Sequence, residues 1–151
     1  MSKKFWWSIV VIYMSGIFYF SHQPADVSNE LSTGITQMII ETIQSLTRQD
    51  SYSMETINYL LRKSTHFVAY FGLALILWLA LDRSKKRYLY AWGFATLYAV
   101  TDEFHQLFVD GRGGQAKDVA IDSLGAATAM LLLYSANKLV RKFKSPDRMK
   151  H

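Results

Sequence analysis

The chain has 151 residues, half of them hydrophobic and 15% aromatic, with a net charge of +5 and no cysteine. That length holds one domain, and the lack of cysteine excludes disulfides and thiolate metal sites. The positive charge suits either nucleic acid or anionic lipid, so its placement along the chain has to decide between them.

The apolar residues are clustered into four runs rather than spread periodically, and an all-α, four-span membrane bundle is expected, with residues 1–151 as a single membrane domain. A helix needs about 20 mainly apolar residues to cross the hydrocarbon core, and about 17 at the least. The first run, FWWSIVVIYMSGIFYF at 5–20, is marginal by that measure. Trp6, Trp7, Tyr19 and Phe20 suit the interfacial aromatic positions and extend its useful length. Lys3 and Lys4 ahead of an apolar run also fit a signal peptide, but SHQP follows instead of a small-x-small cleavage site, so the segment is read as retained.

Residues 21–64 are too polar to span. After Pro24, the residues Leu31, Ile35, Met38, Ile39, Ile43 and Leu46 recur at helical spacing, with Glu41, Gln44 and Arg48 elsewhere. This predicts an amphipathic helix on the outer leaflet or capping the bundle, and a lid over a site is the sharper alternative. METINYLLRK then leads into the second span, at about 60–81, whose apolar body is THFVAYFGLALILWLAL. The third span is expected at about 88–108 and the fourth at about 118–139.

Four spans place the charges on alternating sides. One side holds Lys3, Lys4, the DRSKKR loop and the C-terminal tail, with 12 basic residues against Asp82 and Asp147. The other holds five basic and 10 acidic residues. The basic side of a membrane protein is cytoplasmic. Both termini are therefore expected inside, the charge reads as a topology signal, and nucleic acid is excluded as a partner.

The stretch TDEFHQLFVDGRGGQAKDVAID then lies at the outer mouth. His22, His66 and His105 share that level, and His151 is in the tail. On the third span Ala91, Ala95, Tyr98, Asp102, His105 and Gln106 form one stripe; on the fourth, Asp118, Asp122, Gly125 and Ala129 do. Small residues let membrane helices approach closely, which is expected to bring Asp102 near Asp118 and Asp122. Glu103, about 100° around the helix, is expected to face another span or the outer helix. Lys63, His66 and Tyr70 share a face of the second span. Four neighbouring carboxylates cannot all stay ionised without cations. Lys63, Arg112, His66, His105 and a bound metal are the candidates. The glycines around Arg112 suit an anion-binding nest of backbone N–H groups, without the spacing of a nucleotide phosphate loop.

Three readings follow from these residues. An anionic envelope lipid or lipid-linked cell-wall intermediate would be held at the outer leaflet by Lys63, His66 and Arg112, with Tyr70 and Gln106 in the ligand site and Glu103, His105 or His66 as acid–base groups. A metal-dependent membrane enzyme would use His66, His105, Glu103, Asp118 and Asp122 for zinc, or the carboxylates for magnesium or manganese, although no His-Glu-x-x-His pair is present. In the third reading Asp102, Asp118 and Asp122 are a structural network in a non-enzymatic protein.

FSHQP, RKSTHFVAYFGLAL and TDEFHQLFVDGRGGQAKDVAIDSLGA together resemble the VanZ-like family of small bacterial membrane proteins, over nearly the whole chain. The family usually shows Ser-Ser-Gln where Ser21-His22-Gln23 stands here. The resemblance implies a multipass protein of the bacterial cell membrane and a link to teicoplanin resistance. It implies Lys63, His66, Tyr70, Asp102, Glu103, His105, Gln106, Arg112, Asp118 and Asp122 as motif positions, and supplies no reaction.

Overall fold

A computed structural model describes residues 2–47 and 53–144. Arg48, Asp50, Asp147, Arg148, Lys150 and His151, and the side chain of Leu31, lie outside what is described. The described chain is all-helical: α1 (Lys3–Ser21), α2 (Ala25–Thr47), α3 (Met54–Ala80), α4 (Arg87–Gln106) and α5 (Ala116–Lys144). Each expected apolar run lies within or largely overlaps one helix, and METINYLLRK is continuous with α3 rather than a separate piece.

By length and hydropathy alone, α3 and α5 are each able to cross a membrane. A third crossing is added if α1 and α2, bent by 100° at their junction, are taken as one broken span. The four spans expected from sequence are not all matched by this measure. Lys3 and Lys4 dilute the short α1, and Arg87, Asp102 and Glu103 dilute α4.

Local sequence explains the ends. Ser53 caps α3, its side chain accepting from the Thr56 N–H, and Glu55 sits in the first turn where the helix dipole favours an acid. Asp118 occupies the same favourable place in α5. Asp102 and Glu103 fall near the C-terminus of α4, where the dipole disfavours them, so they depend on other partners.

Helix α3 is central, packing on α5 and also on α1, α2 and α4. The core is a ladder of small residues: Ala91, Ala95 and Ala99 on α4, Ala74 on α3, and Ala126 and Ala129 on α5, all fully buried. A methyl group on Gly125 would collide with the Phe67 carbonyl of α3, so α3 and α5 approach at backbone distance. Tyr98 Oη donates to the Met14 carbonyl at 2.8 Å and Tyr13 Oη to the Ala69 carbonyl at 3.2 Å, tying α1 to α4 and α3. At the opposite end from the acidic stretch, Arg87 stacks on Trp78, 3.8 Å from its ring centre, and Lys3 pairs with Asp82.

Helix α2 packs through Ser32, Thr36 and Ile40, and leaves Ile35, Met38 and Leu46 exposed. Part of its apolar stripe therefore faces away from the bundle, while Ile39 and Ile43 are half-buried.

The close approach at Gly125 makes a direct prediction. Gly125→Ala is expected to cost about 1–3 kcal/mol by overpacking, whereas Gly16→Ala, with nothing within 4 Å, stays at or above wild type because alanine favours the helix. Thermal unfolding in detergent checks both; equal midpoints for the two variants would contradict the packing.

Candidate functional site

The acidic stretch folds as the last turns of α4, a glycine-rich turn, and the first turns of α5. The turn needs its glycines at two points. Gly111 has φ +70°, and a side chain on Gly114 would strike the Glu103 carbonyl. That tight return lets the Gln115 N–H donate to Glu103 Oε2 at 2.9 Å.

Each buried acid has its own environment. Ser21 Oγ donates to Asp102 Oδ2 at 2.8 Å, which docks α1 onto α4. Gln106 Nε2 lies 3.4 Å from both Asp102 Oδ2 and Glu103 Oε1 and links the two. Asp118 is ion-paired with Lys63 of α3. Asp122 is fully buried, and His66 Nδ1 stands 3.4 Å from its Oδ1. Neither Asp122 oxygen has a hydrogen-bond partner among the described residues, and the same holds for Asp102 Oδ1 and the Tyr70 hydroxyl. His66, Glu103 and Asp122 offer ligand atoms that all lie within 4.8 Å of one another, the one group among the described residues able to hold a metal.

A cavity of about 610 Å³ opens beside these groups, between α2, the start of α3 and the glycine-rich turn. Arg62, Lys63, His66, Gln106, Arg112, Gln115 and Asp118 line it, with Asn29 and Thr33 of α2 and Glu55, Asn58 and Tyr59 of α3. Three permanent cations thus face two carboxylates, Glu55 and Asp118. Arg62 is held by Asn29 Oδ1 at 2.8 Å. Arg112 is held loosely: Nη1 is 3.5 Å from Gln106 Oε1, Nη2 is 3.4 Å from the Phe20 carbonyl, and Nε is buried without a partner among the described residues. Burial first, and then Arg62, lower the Arg112 pKa from its ordinary value. An anion in the cavity would oppose both effects.

A family model described as VanZ/LLP1 matches residues 5–140. The chain belongs to the VanZ/LLP1 family. No curated protein and no solved structure matches it. Family and apolar helices together make this VanZ/LLP1 protein a membrane protein.

The motif positions of the VanZ/LLP1 chain separate into four places. Lys63, His66, Gln106, Arg112 and Asp118 line the cavity. Glu103 and Asp122 lie with His66, and Tyr70 and Asp102 sit deeper, toward the core. His105 is apart from all of them. Its Nε2 is 3.1 Å from His22 Nδ1, and its ring packs 4.5 Å from that of Phe18. Glu103 meets expectation in part: it stands beside His66 of α3, another span, but also beside Asp122, whereas Asp102 takes its hydrogen bond from Ser21 of α1. Adjacent residues point about 100° apart, and α4 is rotated so that Ala91, Ala95, Ala99, Asp102, Glu103 and Gln106 are buried rather than His105.

Sequence reasoning missed Ser21, Arg62, Asn29 and Gln115. The FSHQP segment does contain Ser21, and Arg62 stands one residue before Lys63, but neither carries a spacing signal of its own.

The Lys63–Asp118 pair is mostly shielded, with side-chain exposures of 19% and 12%. Lys63→Met leaves a carboxylate uncompensated and is expected to cost about 1–3 kcal/mol, below the figure for fully buried pairs. Lys63→Met/Asp118→Asn should recover most of that loss in the same thermal assay; additive losses would contradict the pairing.

Proposed function

We propose that this protein binds the phosphate headgroup of an anionic envelope lipid, or of a lipid-linked cell-wall intermediate, in the cavity at the outer face of the cell membrane. The observation that carries the reading is the loosely held Arg112, with an unpartnered buried Nε, facing the same cavity as Arg62 and Lys63. Guanidinium groups recognise phosphate by paired, charge-assisted hydrogen bonds. Lys63 is already paired with Asp118, so in this reading it shapes the wall, and Arg112 and Arg62 make the main contacts.

The reading takes α1, α3, α4 and α5 as four crossings with both termini cytoplasmic. Support comes from the basic residues near Lys3, Lys85 and Lys144 and from the packing of α1 and α4 on the two helices long enough to span. Helix α2 then lies along the outer leaflet with Ile35, Met38 and Leu46 toward lipid. A lipid tail would run beside this helix while its headgroup enters between α2 and α3. Teicoplanin resistance, the trait linked to the family, fits a protein working on the outer leaflet.

Binding of a short polyprenyl monophosphate to purified protein tests the headgroup site. Saturable binding is expected, weakened at least tenfold in Arg112→Ala and absent for the matching alcohol; equal binding of phosphate and alcohol overturns the reading. Orientation is checked separately. The chain has no cysteine, so Lys117→Cys should react with an impermeant maleimide on intact cells and Lys85→Cys should not.

A further inference from the structure

The floor of the cavity carries a second chemistry that anion binding leaves unused. His66 lines the cavity and also stands with Glu103 and Asp122. Asp122 is 0% exposed, and neither of its carboxylate oxygens has a hydrogen-bond partner among the described residues. A carboxylate so placed is strongly disfavoured unless a cation compensates it. Lys63 is spent on Asp118, and His66, 3.4 Å away, answers Asp122 only as a protonated imidazole or as a fellow ligand of a metal ion.

The geometry around Asp122 is that of a coordination edge. His66 Nδ1 and Asp122 Oδ1 are 3.4 Å apart without hydrogen-bond alignment. Two ligand atoms bound to one tetrahedral zinc at about 2.0–2.2 Å stand about 3.3–3.6 Å from each other. Glu103 is already oriented by the Gln115 N–H at 2.9 Å and by Gln106. Such outer hydrogen bonds are what position metal-binding carboxylates.

We infer that His66, Glu103 and Asp122 form a three-ligand site for a zinc ion, beside the cavity that His66 lines. One imidazole and two carboxylates are a donor set that zinc accepts. Three protein ligands leave one position for water or a ligand oxygen. The inference stands apart from the phosphate reading, whose contacts are Arg62 and Arg112, and either can fail alone.

Zinc alone is the probe. Protein purified in chelator and desalted is incubated with zinc, desalted again, and its metal content measured beside its thermal midpoint. Wild type is expected to retain about one zinc per chain and to gain about 5 °C or more at saturation. Asp122→Asn and Glu103→Gln should each lose the retained ion and the gain, while Asp26→Asn, on α2 outside the trio, keeps both. If Asp122→Asn does not fold, Glu103→Gln decides. Wild type that retains no zinc and shows no gain overturns the inference. So does zinc kept by both carboxylate variants.

Discussion

Buried carboxylates at one end of an apolar helix bundle must be compensated, and much of this protein is arranged to do so. Asp102 and Glu103 sit at the unfavourable end of the α4 dipole, while Asp118 follows in the favourable first turn of α5 and Asp122 one turn further in. The basic face of α3 answers two of them, through Lys63 on Asp118 and His66 beside Asp122. A serine of α1 answers the third, and a backbone N–H of the glycine-rich turn answers the fourth. The partners come from three elements, α3, α1 and the glycine-rich turn. The polar cluster therefore also sets the register of α1, α3, α4 and α5 against one another, while Asp122 remains the least satisfied member.

That arrangement requires the helices to be close. Ala91, Ala95 and Ala99 on α4, with Gly125, Ala126 and Ala129 on α5, remove the bulk that would hold the helices apart. Close backbones bring Lys63 and His66 within reach of the α5 acids. The large apolar side chains are pushed outward, where Val68, Leu97, Leu131 and others form a surface suited to lipid. Function and packing thus share one cause: small residues inside permit charged residues at the end.

The helices were legible because their apolar runs are long and bounded by Pro24, the DRSKKR loop and the glycine-rich turn. The shared face of Lys63, His66 and Tyr70 was legible from a spacing of three and four residues. Helix rotation was not. The joining of Glu103 to both His66 and Asp122, the hydrogen bond of Asp102 to Ser21, and the withdrawal of His105 to His22 turn on which of two neighbouring faces of α4 meets α1, and both faces carry polar groups. The packing of α2 through Ser32 and Thr36 was hidden for a related reason. In lipid the most apolar stripe need not be the packed one, since the solvent is as apolar as a core. The spans were legible as helices, yet α1 and α4 fall short as crossings by composition alone.

The central claim is that the cationic cavity over the acid cluster holds a phosphate-bearing lipid. Native mass spectrometry of protein gently extracted from its own membrane tests it most directly, because the molecule that occupies the site in the cell is weighed. The account predicts an adduct with the mass of an anionic phospholipid or polyprenyl phosphate on wild type, lost from an equally folded Arg112→Ala variant. Folded wild-type protein that carries no anionic lipid, or an adduct indifferent to Arg112, would contradict it.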